Sequence, residues 1–373
     1  MAPHLPLFNR GMILGKFMPP TQGHRYLADF AVGCCRQVSI LVCSKAHQPI
    51  PGACRHAWMA ELFPGCDVVH VRDELPDAPE DHPDFWQLWL PVIQCAVPGG
   101  IDAVFTSEAY GPELARRVGA AHVGVDRDRY GVPVSGTAMR ADPFAQWRHL
   151  PDVVRPYYCR RVVCFGPEST GKTTLAARLA FHYQTAWVPE WARQHLDPQG
   201  GVCTERDIDL IGLGQAASED ALAKQANRVL ICDTDTLTTT IWSEVYFGGS
   251  PAWLTALARE RRHDLYLLCD IDVPWVDDRQ RDMPHRRQEF IERCRGALER
   301  NQRSYVLISG DWEQRFRTAT AAIDQLLGPL AGAPAIAAQA RVVAELAGTW
   351  SRAEPRATDL ASKGEVGERK GRG

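Results

Sequence analysis

Gly166-Pro167-Glu168-Ser169-Thr170-Gly171-Lys172-Thr173 follows the apolar run Arg161-Val162-Val163-Cys164-Phe165, and a helix-like stretch comes after it. A strand, a loop with glycines at its first and sixth places, a Lys-Thr pair and a helix form the pattern whose backbone N–H groups cradle phosphates. Lys172 can reach the β- and γ-phosphates of a nucleotide, and Thr173 can hold a magnesium ion. Thr174 completes the loop's entry into the helix. The site lies in mid-chain, so a whole domain stands upstream of it.

That upstream region carries a second phosphate-type signature, Gly15-Lys16-Phe17-Met18-Pro19-Pro20-Thr21-Gln22-Gly23-His24. A buried strand ends in Gly15-Lys16, where ligands gather in doubly wound sheets. A helix then opens near Gln22, which places His24 at a helix N-terminus, where free N–H groups and the dipole favour an anion.

The 373 residues suit about two domains with a segment left over. Apolar strand-like runs at Met12–Phe17, Val38–Cys43, Val68–Val71 and Ala103–Phe105 alternate with helical stretches. The alternation resumes at Arg161–Phe165, Val229–Cys232, Leu265–Leu268 and Tyr305–Ile308. Runs buried on both faces between helices predict α/β architecture, with a mainly parallel sheet flanked by helices in each domain. The expected divisions are an extension at 1–10, a Rossmann-like domain at 11–152, a P-loop domain at 153–329 and a disordered tail at 330–373. The junction is read at Pro151 to Pro156. The tail is rich in Ala, Gly, Pro and mixed charge, with a short helix expected at Ala338 to Ala347.

With 42 basic and 45 acidic residues the net charge is −3, which recommends no nucleic acid or anionic lipid as main partner. The twelve cysteines are scattered and several lie in apolar runs, which reads as buried, reduced thiols. No apolar run reaches the ~18 residues of a membrane span and no signal peptide opens the chain, so a cytoplasmic protein is expected. Nothing in the sequence marks an interface, and a homo-oligomer stays open.

The upstream signature resembles the (His/Thr)-x-Gly-His motif of the nucleotidylyltransferase superfamily. The second motif of that superfamily has its counterpart in Ser135-Gly136-Thr137-Ala138-Met139-Arg140. Its continuation, Asp142-Pro143-Phe144 with Trp147, resembles the subfamily that adenylylates nicotinamide mononucleotide. The resemblance implies attack of the mononucleotide's 5'-phosphate on the α-phosphorus of ATP, giving NAD and pyrophosphate. No general base is needed for a nucleophile already ionised, so Lys16, His24, Arg140 and Mg2+ are expected to act by positioning and charge stabilisation. Gly15, Phe17, Thr21, Gly23, Ser135 and Thr137 fall in the ATP and substrate motifs. Arg55, Trp58, Trp86, Trp89 and Thr106 fall at substrate-side places, with Asp126 and Arg129 also in the matched region. Thr21 departs from the subfamily's histidine. Its hydroxyl can donate to a phosphate but carries no charge, a difference of roughly 1.5–3 kcal/mol.

The downstream domain resembles ribosylnicotinamide kinases through Pro189-Glu190-Trp191-Ala192-Arg193, Gly214-Gln215, Cys232-Asp233-Thr234-Asp235 and Asp272-Val273-Pro274-Trp275-Val276-Asp277-Asp278. The resemblance implies ATP contacts from Gly166, Glu168, Ser169, Thr170, Gly171, Lys172, Thr173, Thr174, Arg281 and Arg287. It implies substrate contacts from Glu190, Arg193, Gln215, Asp235 and Trp275, with Trp275 stacked on the cationic pyridinium ring. Asp233 closes an apolar strand, as a magnesium-side carboxylate does; Asp233 or Glu190 would accept the proton of the substrate hydroxyl, Asp233 being the first choice. Arg279 stands where the family usually has Gly, which bears on closure of the arginine-rich lid.

Both domains, in this order, resemble the bifunctional NadR-type proteins over about residues 10 to 328. That implies ATP, nicotinamide riboside, nicotinamide mononucleotide and NAD as ligands, Mg2+ with ATP, and no redox cofactor. Many such proteins carry a DNA-binding helix-turn-helix ahead of these domains; about ten residues precede the first strand here, so direct repression is not expected. Two other readings stay open: an active kinase beside a weak or nucleotide-sensing first domain, and a P-loop kinase for another nucleoside.

Overall fold

A computed structural model describes residues 6–275 and 284–328. The tail expected at 330–373 and its short helix lie outside the described residues. The first sheet comprises β1 (Phe8–Gly15), β2 (Cys35–Cys43), β3 (Asp67–Val71), β4 (Ala103–Thr106) and β5 (Ala121–Gly124). Between and after its strands come α1 (Gln22–Cys34), α2 (Gly52–Leu62), α3 (Phe85–Ala96), α4 (Gly111–Val118), α5 (Gly136–Ala141) and α6 (Arg155–Tyr158). The second sheet comprises β6 (Arg160–Phe165), β7 (Trp187–Val188), β8 (Val229–Asp233), β9 (Leu265–Cys269) and β10 (Tyr305–Ile308). Its helices are α7 (Lys172–Tyr183), α8 (Trp191–Leu196), α9 (Glu205–Ala223), α10 (Thr236–Phe247), α11 (Ala252–Glu260), α12 (Arg287–Arg300) and α13 (Trp312–Leu327).

Strand order is β3-β2-β1-β4-β5 in one sheet and β10-β9-β6-β8-β7 in the other, and every pairing is parallel. β1 pairs with β2 from Phe8↔Cys35 to Gly15↔Val42, while β6 lies between β8 and β9, with Val162 opposite both Ile231 and Leu265. Such strands need apolar side chains on both faces, and Met12, Ile13, Val162, Val163, Cys164 and Phe165 are all buried. In each sheet the order reverses beside the first strand, which opens a crevice at the strands' carboxyl ends. Both motifs read from the sequence begin at such a crevice.

The expected α/β class and the eight expected strands are present, and their limits shift. β1 starts at Phe8, inside the expected extension, and stops at Gly15, because Phe17 has φ 45° and cannot continue a strand. β5 and β7 were not foreseen: both are short edge strands, and β7 has only 2 residues.

The expected 152/153 division falls within packed structure. Val153 and Val154 are buried in the same apolar cluster as Trp147, Leu150, Val163 and Leu230. The Trp147 indole N–H donates to the Ala226 carbonyl at 3.2 Å, the Trp58 ring meets Tyr157 edge-on at 5.3 Å, and Lys224 pairs with Glu61. Replacing a large buried aromatic by Ala costs about 3 kcal/mol or more. Trp147→Ala should therefore lower the denaturant midpoint and split unfolding of the two sheets into separate transitions; one unchanged transition would argue against a shared core.

Candidate active sites

In the first domain α1 starts with a reciprocal cap. The Thr21 hydroxyl oxygen accepts from the His24 N–H at 3.4 Å, and the Thr21 N–H donates to His24 Nδ1 at 3.0 Å. An accepting Nδ1 puts the ring proton on Nε2, so neutral His24 retains a donor for an anion. Burial, and then the positive charge of Arg129, lower the His24 pKa to about 4. Phe17 lies edge-on to the His24 ring at 5.1 Å.

The second motif closes on the first. Ser135 caps α5 through Ala138 N–H at 3.0 Å, and Arg140 reaches back across the chain to donate to the Met18 carbonyl at 2.7 Å. A cleft is lined by Thr21, Gly23, His24, Arg129, Ser135 and Gly136. A neighbouring one is lined by Gly15, Lys16, Lys45, Asp77, Trp89 and Tyr110. Gly15 and Lys16 thus line one cleft and Gly23, His24 and Ser135 the other, with Thr137 3.4 Å from the Arg140 guanidinium.

Other expected groups are turned to structural work. Thr21 is buried; its hydroxyl oxygen accepts from the His24 N–H and lies 3.0 Å from His24 Nδ1, so the hydroxyl faces the helix cap and not a phosphate. Phe17 is core. Arg55 is fully buried and donates to the Lys16 and Cys43 carbonyls at 2.7 and 3.2 Å and to Gln48 Oε1 at 2.6 Å, tying two strand ends together instead of reaching a ligand. Thr106 is buried against His122 at 3.1 Å. Trp58 belongs to the domain junction, and Trp86 packs against Phe85 beneath Arg117. The tryptophan that lines a cleft is Trp89, fixed by its indole N–H to the Pro76 carbonyl at 2.9 Å. Asp126 holds its own loop through Gly131 and Val132 N–H groups.

In the second domain the loop after β6 needs its glycines. Gly166 has φ 134°, and a Cβ there would lie 2.8 Å from the Cys269 carbonyl oxygen; Gly171 has φ 79° and sits under the Trp312 ring. Lys172 Nζ donates to the Pro167 carbonyl at 2.7 Å, folded over the loop it would share with phosphates. The Thr173 hydroxyl donates to Asp233 Oδ2 at 2.5 Å, while Asp233 Oδ1 is buried without a hydrogen-bond partner. Burial, reinforced by the charge of Glu190, pushes the Asp233 pKa up. An orphaned carboxylate oxygen beside a threonine hydroxyl suits a hard, oxygen-loving cation.

These groups edge a cavity of about 410 Å³. Glu168, Ser169, Thr170, Gly171, Lys172, Thr173 and Thr174 line it together with Glu190, Arg193 and Gln215. Glu190 faces Arg193 at 3.5 Å, and Gln215 links the Trp191 N–H to the Thr234 carbonyl. Arg287 reaches the Ser169 carbonyl at 3.2 Å. Arg281, with Asp277, Asp278 and Arg279, lies outside the described residues.

Asp235 and Trp275 are corrected. Both Asp235 oxygens are taken inside the protein, Oδ1 by Thr238 N–H at 2.9 Å as the cap of α10 and Oδ2 by the Tyr266 hydroxyl at 2.7 Å. Trp275 stands under the Arg287 guanidinium at 5.8 Å and does not line the cavity. Trp242 and Tyr246 do, stacked at 5.2 Å. Their spacing of four after Thr238 puts all three on one face of α10, a signal available in the sequence. Arg315 carried no such signal: buried in α13, it donates to the Gly310, Thr170 and Asp270 carbonyls at 2.9, 3.0 and 3.0 Å and pairs with Asp272. Deeper still, Glu219, Cys232 and His263 come close enough to hold a metal, but Arg261 at 2.9 Å and His263 at 3.0 Å already pair with Glu219.

A family model described as an AAA domain matches residues 161–315, the span from β6 to Arg315. The "Trifunctional NAD biosynthesis/regulator protein NadR" of Escherichia coli (strain K12) is 29% identical over 343 residues, covering 85% of this chain and 83% of that protein. The chain is similar to NadR over most of its length. The Salmonella typhimurium NadR is 28% identical over 344 residues, covering 86% and 84%. A crystal structure of NadR protein in complex with NR superposes with TM-score 0.69 at 20% identity, covering 88% of this chain and 100% of that one. A second, in complex with NAD and AMP-PNP, gives 0.69 at 19%, covering 89% and 100%. The likeness to these NadR structures extends over both sheets and establishes the fold.

Two outcomes test this geometry. Because unfolded His24 binds a proton near 6.5 and the folded ring only at about 4, its share of stability is complete above about pH 6.5 and is lost as pH falls toward 4. NMR titration should place the His24 midpoint near 4; a midpoint near 6.5 would contradict the half-buried, capped ring. Arg315→Lys keeps the charge but loses the planar fork, and breaking such a buried arrangement costs about 3 kcal/mol. The variant should unfold earlier and bind ATP more weakly, and wild-type values for both would contradict the anchoring role.

Proposed function

We propose that this chain is a bifunctional enzyme of NAD biosynthesis, with ATP the donor in both transfers. The carrying observation is that one chain has two strand-to-helix phosphate sites, each at the crevice of its own parallel sheet. Kinship with NadR proteins, whose solved structures hold NR in one case and NAD with AMP-PNP in another, supports nicotinamide riboside as the first substrate and NAD as the final product.

In the P-loop domain, residues 153–329, the ATP phosphates lie along Gly166 to Thr174, with Lys172 turning from the Pro167 carbonyl to the transferred group. Thr173 and Asp233 would hold Mg2+, which when bound neutralises charge developing on the phosphates. Asp233 is 1% exposed and already accepts from Thr173, so Glu190, on the open cavity wall, is the better placed acceptor of the riboside hydroxyl's proton. Trp242 and Tyr246 offer aromatic faces to a cationic pyridinium ring. Arg193 adds positive charge to the cavity lining, and Arg287 bonds the phosphate loop at the Ser169 carbonyl.

In the first domain, residues 11–152, the mononucleotide's phosphate attacks ATP and pyrophosphate leaves. Nε2–H of neutral His24, Lys16, Arg140 and the free N–H groups of α1 stabilise the charge on the phosphates. None of these groups has to exchange a proton with substrate.

Incubation with nicotinamide riboside, ATP and Mg2+ should yield NAD. Lys172→Ala should abolish riboside phosphorylation, by a hundredfold or about that, and leave conversion of the mononucleotide intact. His24→Ala should show the opposite single defect. Mononucleotide accumulating without NAD in wild type would favour a nucleotide-sensing first domain, and no product at all would sink the proposal.

A further inference from the structure

Lys16 and Lys45 leave the same edge of the first sheet. Lys16 follows β1 directly and Lys45 stands two residues beyond β2, adjacent parallel strands held in register through Gly15↔Val42. Both ammonium groups therefore emerge at the carboxyl edge of the sheet, where ligands of this architecture bind. One carboxylate joins them: Asp77 Oδ2 lies 3.0 Å from Lys16 Nζ and Asp77 Oδ1 lies 2.9 Å from Lys45 Nζ. The Lys45 side chain is only 18% exposed, so its charge needs a permanent counter-ion, whereas the Asp77 side chain is 40% exposed and can turn to water.

The surroundings hold this arrangement in place. Trp89 bonds the Pro76 carbonyl beside Asp77, and the Ala46 N–H beside Lys45 donates to Glu74 Oε1 at 2.9 Å. The same cleft contains Asp73, so two carboxylates balance two ammonium groups. Two oxygens of a carboxylate span nearly the distance of two oxygens on a phosphate. A phosphate can thus take the place of Asp77 between the two lysines, supplying the negative charge that both ammonium groups lose when Asp77 leaves. Trp89 and Tyr110 in the same cleft supply aromatic surface for the rest of a nucleotide, while His24 and the α1 N-terminus lie in the other cleft.

We propose that Lys45 is a second phosphate-binding cation of the adenylyl-transfer site, serving the phosphate of the mononucleotide, and that Asp77 bridges it to Lys16 until that phosphate displaces the carboxylate. This rests on the adenylyltransferase reading of the first domain. Lys45 is a binding residue here, and Asp77 is a positioning residue that competes with substrate.

The test is steady-state NAD formation by the full chain, varying nicotinamide mononucleotide at saturating ATP and then the reverse. Riboside phosphorylation by the same samples counts folded protein, since neither residue touches that site. Lys45→Met should raise KM for the mononucleotide about tenfold, the loss of one charge-assisted contact, and change KM for ATP little. Lys45→Arg should recover most of it, and Asp77→Asn should move the mononucleotide KM the opposite way, downward. A Lys45→Met variant with wild-type KM, or with the rise confined to ATP, overturns the proposal while the adenylyltransferase reading stands. A rise in KM with Asp77→Asn overturns the displacement of Asp77. Wild-type protein that makes no NAD from mononucleotide overturns that reading and this proposal with it.

Discussion

The Arg315 guanidinium is buried where three segments of the second domain meet: the phosphate loop at Thr170, the end of β9 at Asp270 and Asp272, and the turn before α13 at Gly310. A buried charge must be compensated on every side, and here backbone carbonyls and one carboxylate do so. The consequence is geometric. The phosphate loop takes its position from a residue more than a hundred places downstream as well as from β6 and α7. The cavity lining from Glu168 to Thr174, and the meeting of Thr173 with Asp233, inherit that position.

The two sites use the same physical resource, a helix N-terminus at the crevice of a parallel sheet, in different chemical states. At α7 the free N–H groups are joined by a charged lysine. At α1 they are joined by a neutral imidazole whose proton is directed outward by the cap itself. The charge at the first site then rests on Lys16, Arg140 and, in our proposal, Lys45. Such a site gains more from the placement of dipoles and lysines than from any group that titrates near neutrality.

Legibility in the sequence followed the kind of information each residue carried. Gly166, Gly171, Lys172 and Thr173 were readable because the loop's backbone geometry demands them. Lys16, His24, Ser135 and Arg140 were readable because strand ends and helix starts fix where they lie. Side-chain direction was not readable. Arg55, Thr106 and Asp235 match ligand-binding positions by spacing, yet neighbouring carbonyls, His122 and Tyr266 claim them. Trp275 stands beside Arg287, while Trp242 and Tyr246 line the cavity. Arg315 was hidden altogether, as a single arginine in a charged helix gives no sign of burial. The edge strands β5 and β7 were too short to show a pattern, and the junction was read at Pro151 to Pro156, against the shared core, because those two prolines dominate the local signal.

That shared core has a bearing on how such a chain could be assembled from separate genes. Trp147, Leu150, Val153 and Val154 precede the P-loop domain in sequence but lie in an apolar cluster with Val163 and Leu230. A kinase gene beginning at residue 153 would leave its product with a bare apolar flank where the indole and Leu150 now sit. The recombination point that keeps that cover would fall upstream of Trp147, so the heritable unit of the second half is longer than its sheet, and the tryptophan of the first half's closing motif travels with its neighbour.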